Sequence, residues 1–330
     1  MGLDGSLWGS SIMVGKLTRD DALSASRIPV LLNASPYATP NELLQEMLDI
    51  DAGGQPVRIP QNEPMFWGDT LEGTILREAA RRLGLTDLET NFTEPFEHPT
   101  LPLGASLDGR AKGSGTFVDD PSNGIYLPND DSITLDGPIL LEAKNTNAYP
   151  AERPALWRGP LQMQAQMMCT GIARGAVCVL HQGNQLRIYL YRKDNIVQSQ
   201  ITDAVLNFEE RRKTREFYPA YSIHDATIVH STTDTSARPV EIDDEDAKTA
   251  LEDLVHAQKH KAMAEEDIQQ ASLCLMNLMG DAEVAYGLVG NQKYMVKWPS
   301  RHYKAQPEKV TPAKPARSMR SKTLVIKETD

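Results

Sequence analysis

The run Ile139-Leu140-Leu141-Glu142-Ala143-Lys144 constrains this chain more than any other. Its shortness and apolar start fit a buried strand better than a helix. Side chains alternate along a strand, so Glu142 and Lys144 share one face while Leu141 and Ala143 turn to the other, towards packing. A carboxylate and an ammonium are thereby held side by side. Upstream, an extended stretch from Leu101 to Leu107 runs into Asp108-Gly109, which lets Asp108 meet Glu142 across a sheet. Two carboxylates with the Ala143 carbonyl form an oxygen-donor set suited to Mg²⁺, with Mn²⁺ as a substitute. Taken alone, the same residues also fit a plain ion pair across one face.

The rest of the pattern is mixed α/β. Helices are expected over Ala22 to Leu32, Asn41 to Leu48 behind Thr39-Pro40, Leu71 to Leu83 closed by Gly84, Trp157 to Gly171, and Ile201 to Phe217. Strands are expected at Ala176 to His181 and Gln185 to Arg192 around Gly183-Asn184. Gly113 to Gly137, rich in Gly, Asp, Asn and Pro, reads as a long surface excursion or hairpin. Trp67 is expected in the core. The predicted organisation is a core over residues 1–222, an acidic linker over 223–246 that holds Glu241-Ile242-Asp243-Asp244-Glu245-Asp246, and an extension over 247–330. That extension comprises a helix from about Ala247 to Met279, a hairpin from Glu283 to Trp298, and a basic tail.

Composition narrows the function classes. With 34 Lys and Arg against 45 Asp and Glu, the formal charge is -11, which disfavours a protein that merely coats nucleic acid. Any contact with phosphates has to be local. The three cysteines are scattered, which disfavours a disulfide framework, a zinc knuckle or a four-cysteine cluster. His256 and His260 lack the Glu of a zinc-protease helix, and no phosphate loop ending in Gly-Lys-Ser or Gly-Lys-Thr occurs. No apolar run is long enough for a membrane span and no secretory leader is visible, so the expected location is the cytoplasm.

The pair at Glu142 and Lys144 gains meaning from its company. In order along the chain come Ser24-Ala25-Ser26-Arg27, Ser35-Pro36-Tyr37, Gly68-x-x-x-Glu72, Gly104-Ala105-Ser106-Leu107-Asp108-Gly109, Leu141-Glu142-Ala143-Lys144, and Gln162-x-Gln164-x-Gln166 with Thr170-Gly171. Between Leu23 and Arg192 the chain therefore resembles the PD-(D/E)XK nucleases of the lambda exonuclease and YqaJ-like viral recombinase type. The resemblance implies a restriction-endonuclease-like α/β core, with a mixed central sheet flanked by helices. It implies a Mg²⁺-dependent 5′-3′ exodeoxyribonuclease that digests the 5′-ended strand of linear duplex DNA and leaves 3′ tails for phage-type recombination by strand annealing. It makes Asp108, Glu142 and the Ala143 carbonyl the metal ligands. Lys144 becomes the catalytic lysine that orients or deprotonates a water, with Glu72 a helper carboxylate and Gln162 a support for the site. Arg27 and Ser106, with Ser35 as a third candidate, would hold the 5′ phosphate of the DNA end, where a guanidinium grips two oxygens at once.

The same resemblance implies DNA ends and a single-strand annealing protein as partners, a trimeric ring of copies, and a phage or prophage gene acting in a bacterial cell. Two features depart from the pattern. Leu107 replaces the Pro of the motif, and the gap from Asp108 to Glu142 is long enough for Gly113 to Gly137 to be an insertion. The competing readings are a nuclease of this fold with a single-stranded or structure-specific substrate, and a catalytically silent module that binds DNA ends.

Overall fold

The computed structural model describes residues 17–56, 60–231 and 239–299, in two units that divide between Ser231 and Thr232. In the first unit the chain enters through Leu23–Ser24 (β1), a 3-10 turn at Ala25–Arg27, and the single helical turn Ile28–Leu31 (α1). The continuous helix expected over Ala22 to Leu32 is therefore absent. Pro29 explains this, because inside a helix its ring would collide with the carbonyl of residue 25, whereas in a first turn it is tolerated. Leu23 and Ser24 instead pair in parallel with Leu103 and Gly104.

The helix Pro40–Asp51 (α2) starts as its sequence predicts. Thr39 Oγ1 accepts from the Glu42 N–H while Glu42 Oε2 accepts from the Thr39 N–H, a reciprocal cap. Glu63–Arg82 (α3) starts earlier than the expected Leu71, because Asn62 caps it by accepting from the Met65 N–H and Pro64 sits in its first turn. Trp67 consequently lies on a helix flank, 48% exposed, and donates to Glu63 Oε2 rather than filling the core.

Thr86–Glu89 (β2), Phe96–Glu97 (β3), Leu103–Ala105 (β4), Gly109–Phe117 (β5), Ile125–Tyr126 (β6) and Ile133–Thr146 (β7) follow. After the helix Pro160–Thr170 (α4) come Arg174–His181 (β8), Gln185–Arg192 (β9) and the helix Asn195–Thr214 (α5). The main sheet has the order β2-β5-β7-β8-β9-β6. It is mixed, since β7 with β8 and β9 with β6 run parallel while β5 with β7 and β8 with β9 run antiparallel. This is the mixed sheet flanked by helices that was expected.

The excursion from Gly113 to Gly137 is largely sheet. Gly113 to Phe117 and Ile133 to Gly137 pair as the outer arms of a β5/β7 hairpin, and between them Ile125 and Tyr126 return to the far edge against β9. Burial along β7 records the change of environment. From Ile133 to Leu135 buried and exposed positions alternate, whereas Ile139 to Glu142 are all buried, as in a strand covered on both faces.

Leu140, Val177, Val179 and Tyr189 pack with α2, α4 and α5, while Ile139, Leu141, Cys178 and Ile188 pack with Ile75, Leu76 and Ala79 of α3. Each fully buried Leu of these layers contributes about 1.5–3 kcal/mol relative to an exposed one. Contact between α4 and the sheet depends on Gly175, where a Cβ would lie 2.1 Å from Met163 Sδ.

Residues 223–229, expected in the linker, form a further helix, Ile223–Val229 (α6), that packs on α2. Its buried Asp225 accepts from Thr39 Oγ1 at 2.6 Å, Asn41 Nδ2 at 2.9 Å and the Tyr221 N–H at 3.0 Å. Thr39 and Asn41 would each lose an acceptor without that carboxylate, which ties the segment to the core.

In the second unit Glu245–Met279 (α7) is capped by Asp244 and followed by the antiparallel pair Val284–Val289 (β10) and Gln292–Lys297 (β11). Helix and hairpin stand where the sequence puts them. The basic tail, with Lys304, Lys309, Lys314, Arg317, Arg320 and Lys322, lies outside the described residues. No helix among the described residues is long and apolar enough to cross a membrane.

Candidate active site

Asp108 sits between β4 and β5, and Glu142 lies one position past the last residue of β7 that pairs with β5, where Gly109 opposes Leu141. Beyond that register the edge of β7 is open, and Asp108 occupies it: its Oδ2 accepts from the Ala143 N–H at 2.8 Å. The N–H and C=O of one strand residue point to the same side, so the Ala143 carbonyl also faces the Asp108 edge rather than β8. Glu142 is 1% exposed and both its oxygens are held. Oε1 accepts from Lys144 Nζ at 2.5 Å, and Oε2 from Gln166 Nε2 at 2.6 Å.

A cavity of about 520 Å³ opens over this edge. Asp69, Glu72, Asp108 and Glu142 line it with Lys144, alongside Ser24, Ser26, Ser106, Asn145 and Gln162. Four carboxylates against one ammonium leave it strongly anionic. Burial and then the Glu142 charge push Asp108 well above the usual carboxylate range, and burial with the Glu142 and Asp69 charges raises Glu72. For Lys144, burial alone would lower the pKa, but Glu142, Asp108 and Glu72 outweigh it, so the value is raised and the side chain stays an ammonium.

The donor set fits a hard divalent cation. Among the described residues no group of three or more His, Cys, Asp or Glu side chains is placed to hold a metal ion. What Asp108 and Glu142 offer is two carboxylates, with the Ala143 carbonyl on the same edge. That suits Mg²⁺, which keeps several waters and takes few protein ligands. A cation held there would offset the Glu142 and Glu72 charges that, after burial, keep the Asp108 pKa up.

The structure brings Asp108, Glu142, Ala143, Lys144, Glu72, Gln162 and Ser106 to one cavity. Ser106 Oγ also accepts from the Leu17 N–H at 2.9 Å. Two expected residues stand elsewhere. Ser35 lines an adjoining cavity and accepts from the Tyr37 N–H. Arg27 lines neither of these two cavities, because the 3-10 turn directs it to α2, where it pairs with Glu46 at 2.7 Å. Its neighbours Ser24 and Ser26 face the acid-lined cavity in its stead.

The glutamine motif also divides differently from expectation. Gln162 lines the cavity, whereas Gln164 joins α4 to the end of β9 by donating to the Arg192 carbonyl and accepting from the Asp194 N–H. Gln166, fully buried, is the one that holds Glu142, and it donates to the Ser106 carbonyl as well. The i, i+4 spacing of Gln162 and Gln166 put both on one helix face. Which of the two meets the carboxylate depends on how deep α4 lies on the sheet, a tertiary property. Asp69 and Glu72 both lie inside α3, well past its Asn62 cap, so Glu72 is not part of a helix cap.

Residues 16–173 match the model of the YqaJ-like viral recombinase domain. The chain carries a YqaJ-like viral recombinase domain. Asp69, Glu72, Asp108, Glu142 and Lys144 all fall within it. The chain is similar to an alkaline exonuclease from Laribacter hongkongensis, at 18% identity and a TM-score of 0.44 over 60% of this chain and 90% of that one. It is also similar to a phage related exonuclease from Haemophilus somnus 129PT, at 13% identity and a TM-score of 0.40 over 59% of this chain and 94% of that one. No curated protein matches the chain.

Proposed function

We propose that the chain is a divalent-metal-dependent exodeoxyribonuclease. It digests the 5′-ended strand of linear duplex DNA and leaves 3′ single-stranded tails for an annealing protein, in the cytoplasm of a phage-bearing bacterial cell. One observation carries the reading. Within a recombinase domain, Asp108, Glu142 and Lys144 meet at the open end of a buried strand, on a cavity whose charge calls for a cation.

Asp108, Glu142 and the Ala143 carbonyl would hold Mg²⁺, or Mn²⁺ in its place. When bound, that ion supplies positive charge opposite the scissile phosphate. Lys144, kept protonated by the carboxylates around it, orients the attacking water and adds a second positive charge at the phosphate as negative charge builds there. A base role is the less fitting one for an ammonium so stabilised. Glu72, with its raised pKa on the same cavity, would take the proton of that water. Gln166 fixes the Glu142 carboxylate, and Gln162 and Ser106 line the approach. Ser106 and Ser35 offer hydroxyls to a terminal 5′ phosphate, whereas Arg27 would first have to leave Glu46.

The test is digestion of linear duplex with 5′-phosphorylated, 5′-hydroxyl or covalently closed ends, in Mg²⁺ or EDTA. Loss of the open-ended molecules in Mg²⁺ only is the expected result. Intact DNA under every condition would refute the reading, and equal loss of closed molecules would make the enzyme an endonuclease.

A further inference from the structure

Against the acid-lined cavity lies a second one of about 380 Å³, joined to it through Ser26, Lys144, Asn145 and Gln162. Its chemistry is the reverse. No Asp or Glu lines it, and its charged residues are Lys144 and Arg158. Across its mouth, the Tyr37 and Trp157 rings meet edge to face, with centroids 5.1 Å apart at 89°. The Arg158 guanidinium lies 4.6 Å over the Trp157 ring. Tyr37 is 77% exposed, so most of an aromatic ring is left in water at the rim of a site. Arg158 has no carboxylate partner among the described residues. In a chain of net charge -11, an acid-free recess with two cations and two aromatic rings is a local exception that selects anionic, flat ligands.

We propose that this niche receives an unpaired base of the strand being cut, stacked on the face of one of the two perpendicular rings and edge-on to the other, with Arg158 facing the adjacent phosphate. A base inside a duplex is covered on both faces by its neighbours, so an aromatic platform selects a terminal or single-stranded nucleotide. The volume is that of a small-ligand pocket, which admits a nucleotide and not a double helix. The shared wall at Lys144 places the stacked base next to the phosphate at the acidic edge. The inference deepens the nuclease reading and rests on it for the identity of the strand.

The experiment measures binding of a short 5′-phosphorylated single strand carrying 2-aminopurine near its 5′ end to the full chain in EDTA, so that hydrolysis plays no part. Base stacking on an aromatic ring predicts quenched 2-aminopurine and about tenfold weaker binding for Trp157→Ala and for Tyr37→Leu. Trp157→Phe, which keeps a stacking face, should stay within about threefold of wild type, and circular dichroism checks that each variant is folded. Arg158→Gln should lower the slope of log K against log salt by about 0.7, the value for one phosphate contact on a single strand. Affinity and quenching unchanged in both Trp157→Ala and Tyr37→Leu would overturn the proposal, whatever else the niche binds. A wild-type chain that binds the strand in this way but digests no duplex in Mg²⁺ would leave the platform standing and remove the nuclease reading.

Discussion

The two cavities that meet at Lys144 also share Ser26, Asn145 and Gln162, and they differ in sign. On one side Asp69, Glu72, Asp108 and Glu142 crowd around a single ammonium, and burial pushes Asp108 and Glu72 above their usual range. On the other side no carboxylate is present, and Arg158 lies on Trp157 without an acidic partner. The first cavity is unfavourable until a cation arrives, and the second attracts an anion as it stands. An acidic protein can therefore handle DNA without a basic surface, provided the metal supplies the charge at the reacting phosphate and a small recess supplies it for the neighbouring nucleotide. Lys144, common to both linings, is where the two fields join.

Substitutions on the acidic side should change the rate, and those on the aromatic side the binding. The largest effect is expected from Glu142→Gln, which removes one of the two carboxylates proposed to hold the metal and the partner of Lys144. Nucleotide release from linear duplex should fall by about 10²- to 10³-fold or more, while single-strand affinity in EDTA stays within about threefold. An equal loss of affinity would merge the two cavities into one site. Next in size is Gln166→Leu, which withdraws the hydrogen bond to Glu142 Oε2. As a positioning residue it should lower kcat by about 10- to 100-fold, the range seen when a partner of a metal ligand is lost, with KM little changed. A rise in KM at constant kcat would contradict that role.

Asp108→Asn tests the charge imbalance through stability. The folded-state pKa of Asp108 is raised, so in the metal-free protein this group favours folding while protonated, and the benefit fades as pH climbs from the ordinary carboxylate range through the raised value. At pH 8 in EDTA the variant should therefore melt a few degrees above wild type, with the gap closing towards pH 4. Mg²⁺ should raise the melting temperature of wild type more than that of the variant. A variant that melts lower at pH 8 would mean that the charge-assisted bond Asp108 accepts from the Ala143 N–H outweighs the repulsion. The smallest effect belongs to Arg27→Ala. Because Arg27 pairs with Glu46 outside both cavities, the preference for 5′-phosphorylated ends should persist within about twofold, and stability should change by about 0–1 kcal/mol.

Much of this arrangement is legible in the sequence because it is local. Glu142 and Lys144 share a face by strand alternation, and Asp108 precedes a Gly that opens the next strand. Thr39-Pro40 starts α2 by a reciprocal cap, and Gly84 follows α3 with positive φ. The long helix and hairpin of the second unit also follow from their own periodicity and turns. What escapes is non-local. Arg27 belongs to the same motif as Ser24 and Ser26, but the parallel pairing of β1 with β4 and the position of Pro29 decide which of them sees the cavity. Gln166 rather than Gln162 holds Glu142 because Gly175 lets α4 sink onto β8. Asp225 looks like part of an acidic linker until Asn41 and Thr39, far away in sequence, supply its donors. The niche of Tyr37 and Trp157 likewise joins segments that nothing in their spacing connects.

We propose that the acidic edge of β7 hydrolyses DNA from an end. It is tested most directly by following both strands of a 5′-phosphorylated linear duplex at nucleotide resolution in Mg²⁺, with wild type and Lys144→Ala side by side. The prediction is progressive shortening of the 5′-ended strand by wild type, an intact complementary strand, and no digestion by Lys144→Ala. Both strands intact with wild type, or equal digestion by the variant, would contradict it.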